Sequence, residues 1–151
     1  MALSTKNTFS CADISAPTPP PQWTTRSLHR TEEVVPAIEN LIREVEAVGF
    51  PEREVFAIRL ALEEALVNAI KHGHKGDPSK EVQLRYHVLP NRLLVEIEDQ
   101  GPGFNPNAVP NPLAVENLDR SCGRGLLLMR HYMTWVHFNE TGNRVTMCRQ
   151  R

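Results

Sequence analysis

A chain of 151 residues, 40% hydrophobic and 23% charged, is long enough for one domain with a real core. Its 17 basic and 18 acidic residues leave a net charge of −1, which gives no basis for nonspecific nucleic-acid binding. No apolar run approaches the roughly 20 residues a membrane helix needs, so no membrane role is expected.

Residues 1–21 are rich in Ser, Thr, Ala and Pro and end in Pro17-Thr18-Pro19-Pro20-Pro21 without apolar periodicity. They read as a disordered leader to a single domain over 22–151. The N-terminus lacks the charged start and apolar stretch of a secretory signal. Cys11, Cys122 and Cys148 are scattered and form no CxxC pair, which argues against a disulfide framework and against a zinc site. The expectation is a cytoplasmic protein with reduced thiols.

Gln22 to Arg30 alternates loosely and supplies a first strand. From Thr31, Val34, Ile38, Leu41, Ile42 and Val45 recur at helical spacing, with Pro36 placing the true start near Val35. Gly49 suits the position just past the helix end, and Pro51 the first position of the next helix. The two helices are joined almost directly and should pack side by side.

The stretch from Ile58 to His72 has no Gly or Pro and is rich in Ala, Leu and Glu, so it reads as a helix. At about 100° per residue, Val55, Ile58, Leu62, Ala65, Leu66 and Ala69 share one face. Glu64 and Asn68, four apart, stack on a second face beside Ala57 and Ala61, with Leu60 and Val67 bordering it. Arg59 and Glu63 serve the water side. A carboxylate and an amide flanked by methyl groups suit a site with space for a ligand, although the helix alone is equally compatible with a Glu–Asn pair on a solvated face. His72 and His74 lack a third ligand and do not make a metal site.

Gly73 to Pro78 cannot continue a helix. Val82, Leu84, Tyr86 and Val88 alternate with polar residues, Pro90-Asn91 makes a turn, and Leu93, Val95 and Ile97 alternate again, which predicts an antiparallel hairpin. Between Asn105 and Cys122 there are four Asn and three Pro with weak periodicity, the composition of a lid or binding loop. Gly123-Arg124-Gly125 opens an apolar helix from Leu126 to about Met133. Trp135–Asn139 and Arg144–Arg149 read as strands around Thr141-Gly142-Asn143. The order β-α-α-β-β-lid-α-β-β predicts an α/β (α+β) two-layer sandwich: a mainly antiparallel mixed sheet with helices on one face.

Asp99-x-Gly101-x-Gly103 follows a strand rather than opening a helix, so it is neither a dinucleotide-binding turn nor a Walker loop. An Asp at a strand end can accept a hydrogen bond from an exocyclic amine such as that of adenine, and the glycines let backbone approach a flat ring. A plain surface turn is the alternative. Gly123-Arg124-Gly125 is the phosphate candidate, since free N–H groups at a helix start bind anions and Arg adds a charge-assisted bond, with an ordinary Gly helix cap as the alternative. Together with Glu64 and Asn68 these parts can surround one nucleotide. Asn68 would offer an amide oxygen to Mg²⁺, and Glu64 could accept the proton of an attacking hydroxyl.

At these residues the chain resembles a known superfamily. Glu64-Ala-Leu-Val-Asn68-Ala-Ile-Lys-His72-Gly resembles the N box of the GHKL ATPases, Asp99-Gln-Gly-Pro-Gly-Phe the G1 box, and Gly123-Arg-Gly-Leu-Leu-Leu-Met the G2 box. Within that superfamily the short chain, the His after the N box and the Pro/Asn lid resemble the anti-sigma-factor serine kinases. The likeness covers about residues 22–149. It implies a Bergerat ATP-binding fold with ATP and Mg²⁺ as ligands, a sigma factor and an anti-sigma-factor antagonist protein as partners, and phosphorylation of a serine on the antagonist.

By position the resemblance makes Glu64 the base and Asn68 the Mg²⁺ ligand. Asp99 would read adenine, Gly101 and Gly103 would line the ring, and Gly123, Arg124 and Gly125 would face the phosphates. His72 and Leu126 join the same cofactor-binding set through their boxes. Cys122 marks a departure in G2 spacing, and both Arg120 and Arg124 could reach a γ-phosphate. Lys71 could touch a phosphate or stay solvated. The alternative to a kinase is a catalytically weak ATP-responsive switch that sequesters a transcription factor. Pairing of two copies through the first strand and first helix is left open.

Overall fold

Alternating apolar residues make the hairpin at the centre of the sheet. In a computed structural model of the chain, which describes residues 22–73, 75, 77–105 and 124–151, Val82–Leu89 (β2) pairs antiparallel with Arg92–Glu98 (β3) across Pro90-Asn91. Leu84 lies opposite Ile97, and Tyr86 opposite Val95. Thr24–Leu28 (β1) flanks β2. Trp135–Phe138 (β4) and Arg144–Gln150 (β5) form a second hairpin, whose β5 joins β3, so that the order is β1-β2-β3-β5-β4. The sheet, expected to be mainly antiparallel, is antiparallel in every one of these pairings.

The residues that alternate to one side of the strands, among them Val82, Leu84, Tyr86, Val95, Ile97 and Met147, are buried in one cluster with the apolar faces of the helices. On the opposite side Gln83, Arg92 and Arg144 are exposed. Val34–Ala47 (α1) contributes Ile38, Leu41, Ile42 and Val45, the residues picked out by helical spacing. It starts at Val34, one residue before the expected Val35, after a 3₁₀ turn at Thr31–Glu33. The Glu33 carboxylate explains that start, because it accepts the backbone N–H groups of His29 (2.5 Å) and Arg30 (3.1 Å).

Gly49 ends α1 with φ +91, the left-handed conformation expected of it. Glu52–Asn68 (α2) begins one residue later than its proline suggests. Pro51 has extended backbone and caps the helix, its carbonyl accepting from Glu54 (2.9 Å) and Val55 (3.0 Å). Val55, Ile58, Leu62, Ala65, Leu66 and Ala69 are all buried, as the helical wheel requires. The α-helix does not run to His72: Ala69–Gly73 forms a single π turn, wider than an α turn, that brings Gly73 against the loop after β3.

Arg124–Tyr132 (α3) packs against α2 and buries Leu126 and Met129. Arg149 on β5 joins three elements by pairing with Glu54 of α2 and donating to the Tyr132 carbonyl at 2.6 Å. The leader at 1–21, Cys11, His74 and the loop 106–122 with Arg120 and Cys122 lie outside the described residues. Among the described residues no helix is long and apolar enough to cross a membrane.

Candidate nucleotide site

A cavity of about 910 Å³ opens between α2 with its π turn, the loop after β3, the start of α3 and the β4–β5 turn. Its walls are apolar where Ile97, Leu126, Met129, Phe138 and Val145 face it, and polar at Glu64, Asn68, Asp99 and Asn143. Lys71 and His72, both exposed, stand at its edge.

Glu64 and Asn68 lie one helical turn apart and are both half-buried beside the start of α3. A Cβ on Gly125 would lie 2.6 Å from Asn68 Nδ2 and 2.8 Å from Glu64 Oε2. Gly125 therefore leaves the room that the carboxylate and the amide occupy.

Asp99 is the first residue past β3. Its Oδ1 accepts the Gly101 N–H at 2.7 Å, and its own N–H donates to the Asn143 carbonyl at 2.9 Å. A Cβ on Gly73 would lie 2.3 Å from Asp99 Cγ, and one on Gly101 would lie 1.8 Å from the Gly73 carbonyl oxygen. Gly101 thus stands behind the wall, where two backbones touch, while Gly103 lines the cavity. Gly103 (φ +76) and Gly142 (φ +74) interlock in the same way. Their Cβ positions fall 1.7 Å from the Thr141 carbonyl oxygen and 1.8 Å from that of Phe104.

The structure brings Glu64, Asn68, His72, Asp99, Gly103, Gly125 and Leu126 to one cavity. Arg124 opens α3, and Gly123 lies outside the described residues. Sequence reasoning missed Asn143, Phe138, Met129 and Val145, which read as turn and core residues. The signal that places Phe138, Asn143 and Val145 is the strand order, while Met129 comes in with α3. Because β5 pairs with β3, the turn before β5 has to lie beside the end of β3. Apolar walls that also carry a carboxylate at Asp99 and a carboxylate–amide pair at Glu64 and Asn68 suit a flat base joined to a charged, metal-seeking tail.

Residues 28–149 match the profile of the histidine kinase-like ATPase domain. The chain belongs to the histidine kinase-like ATPase family. As a member of that family the chain carries an ATP-binding domain. Among its relatives is the serine-protein kinase RsbW of Bacillus subtilis (strain 168), 32% identical over 108 residues, which span 66% of this chain and 67% of the relative. The RsbW of Bacillus licheniformis is 30% identical over 108 residues with the same coverage. That of Listeria innocua serovar 6a is 32% identical over 57 residues, 38% of this chain and 36% of the relative. Within the histidine kinase-like ATPases, these relatives agree with the anti-sigma-factor kinase resemblance carried by the three boxes.

Among the described residues, no group of three His, Cys, Asp or Glu converges as a metal cage. A divalent cation in this histidine kinase-like ATPase would lean on an amide oxygen, water and phosphate oxygens, the donor set that Mg²⁺ prefers.

Proposed function

We propose that this histidine kinase-like ATPase is an ATP-dependent protein serine kinase that acts in the cytoplasm as an anti-sigma factor in a partner-switching system. In one state it would hold a sigma factor. In the other it would phosphorylate a serine of the factor's antagonist. The observation that carries the reading is the approach of Glu64 and Asn68 to Gly125 on one cavity wall, in a chain whose relatives are serine-protein kinases.

Each residue has a task that its chemistry fits. The apolar walls take the base, and Asp99 accepts a hydrogen bond from its exocyclic amine. Asn68 offers its amide oxygen to Mg²⁺. By the family resemblance Gly123, Arg124 and Gly125 would serve the phosphates, and Arg120 or Arg124 would add a guanidinium. Bound Mg–ATP supplies the γ-phosphoryl group and the neutralisation of its charge. Glu64, one turn from Asn68, takes the proton of the attacking serine hydroxyl and orients its oxygen.

The experiment is co-purification from the source cell, followed by incubation of each small partner with labelled ATP and Mg²⁺. Label on a serine of a partner supports the reading. Calorimetry that registers no heat with millimolar Mg–ATP on folded protein overturns it.

A further inference from the structure

We propose that Asn143 is a positioning residue for base recognition, its side chain tying the β4–β5 turn to the main chain of Asp99. The inference rests on the ATP site proposed above.

Asp99 lies beyond the last residue of β3, so regular strand pairing no longer holds it. Two bonds to one residue take over. The Asp99 N–H donates to the Asn143 carbonyl at 2.9 Å, and Asn143 Nδ2 donates to the Asp99 carbonyl at 3.2 Å. The other end of the same amide is also engaged: Asn143 Oδ1 accepts from Asn139 Nδ2 and Thr141 Oγ1, both at 2.6 Å. An amide used at both ends cannot rotate freely, so the turn's geometry passes to Asp99. The Gly101 N–H on Asp99 Oδ1 then orients the carboxylate from the other side. Asn143 and Asp99 both line the cavity, so the tether stands at the residue proposed above to read the base.

Asn143→Asp separates the two ends of the amide. It keeps an acceptor for Asn139 and Thr141 and removes the donor to Asp99. The full chain is titrated with Mg–ATP and with the Mg²⁺ complex of purine riboside triphosphate, which lacks the exocyclic amine. ATP affinity should fall about tenfold, as for loss of one buried donor, while the analogue changes less than about twofold. The ATP preference therefore shrinks, with the melting temperature held within a few degrees. If Asn143→Asp does not fold, the double variant Asn139→Ala/Thr141→Val removes both donors that hold Asn143 Oδ1 and should narrow the preference in the same direction. A folded variant with the wild-type preference, or one that weakens both nucleotides equally, overturns the assignment. Wild-type protein that binds neither nucleotide removes the ATP site itself, an outcome distinct from a wild type that binds and discriminates beside an unshifted variant.

Discussion

Gly125 sits so close to Asn68 that a Cβ on the glycine would lie 2.6 Å from the amide nitrogen. Inside α3 a Gly→Ala change normally stabilises by about 0.5–1 kcal/mol, because the unfolded chain loses freedom. Here the atoms in the way are the tips of Asn68 and Glu64, which can swing aside. Gly125→Ala should leave the melting temperature unchanged or slightly higher, and weaken Mg–ATP binding by about tenfold or more. Thermal denaturation beside calorimetry checks both halves. Unaltered affinity would remove Glu64 and Asn68 from the ligand's path.

The opposite outcome is expected at Gly101. A Cβ there would meet the Gly73 carbonyl oxygen at 1.8 Å, and backbone on backbone has no side chain to rotate. Gly101→Ala should destabilise the fold by about 2–3 kcal/mol, within the range for overpacking. Urea denaturation measures it. A stability equal to wild type would show that the π turn and the Asp99 loop can separate at little cost.

Glu64→Gln keeps the shape of the side chain and removes its basicity. Labelled phosphate transfer to the partner should fall about 10²–10⁴-fold, the usual contribution of general acid–base catalysis. Mg–ATP affinity should stay within a few-fold. Full transfer by the variant would take the role of base away from Glu64 and favour a site that binds and switches.

These contrasts mark where the sequence could be read and where it could not. Burial sets the period of apolar residues, so Ile58, Leu62 and Leu66 on α2, and Leu84 and Tyr86 on β2, were legible one element at a time. Glu64, Asn68 and Asp99 stood out through boxes that resemble those of a known superfamily, and all three line one cavity. Asn143 did not stand out. Its place beside Asp99 depends on β5 lying next to β3, a pairing between residues more than forty positions apart that no local pattern encodes. The same holds for Gly101. A motif reading puts it on the ring, whereas its lack of a side chain serves a contact with Gly73, brought there by the π turn. Pro51 differs for a local reason: its extended backbone suits a cap as well as a first helical residue, and neighbouring spacing does not separate the two.

Arg149 and Glu54 yield a pH prediction far from the cavity. The Arg149 guanidinium hydrogen-bonds the Glu54 carboxylate and holds its pKa below the ordinary 4.5, against a smaller opposing effect of burial. Their side chains are 21% and 13% exposed, so solvent screens the pair only in part. A depressed folded-state pKa stabilises the fold above the unfolded value, and that contribution fades as the pH falls through the folded one. Arg149→Ala also removes the bond to the Tyr132 carbonyl and leaves Glu54 a half-buried charge without its partner. The variant should lose about 1.5–3 kcal/mol at pH 7, the range for hydrogen bonds to charged groups. As the pH falls below about 4.5, Glu54 takes up a proton first in the unfolded chain and only at lower pH in the folded one, so the gap between wild type and variant should narrow steadily. Urea denaturation at pH 7 and pH 3 reads both numbers. A gap of equal size at the two values would assign the stabilisation to the packing of the Arg149 side chain instead of its charge.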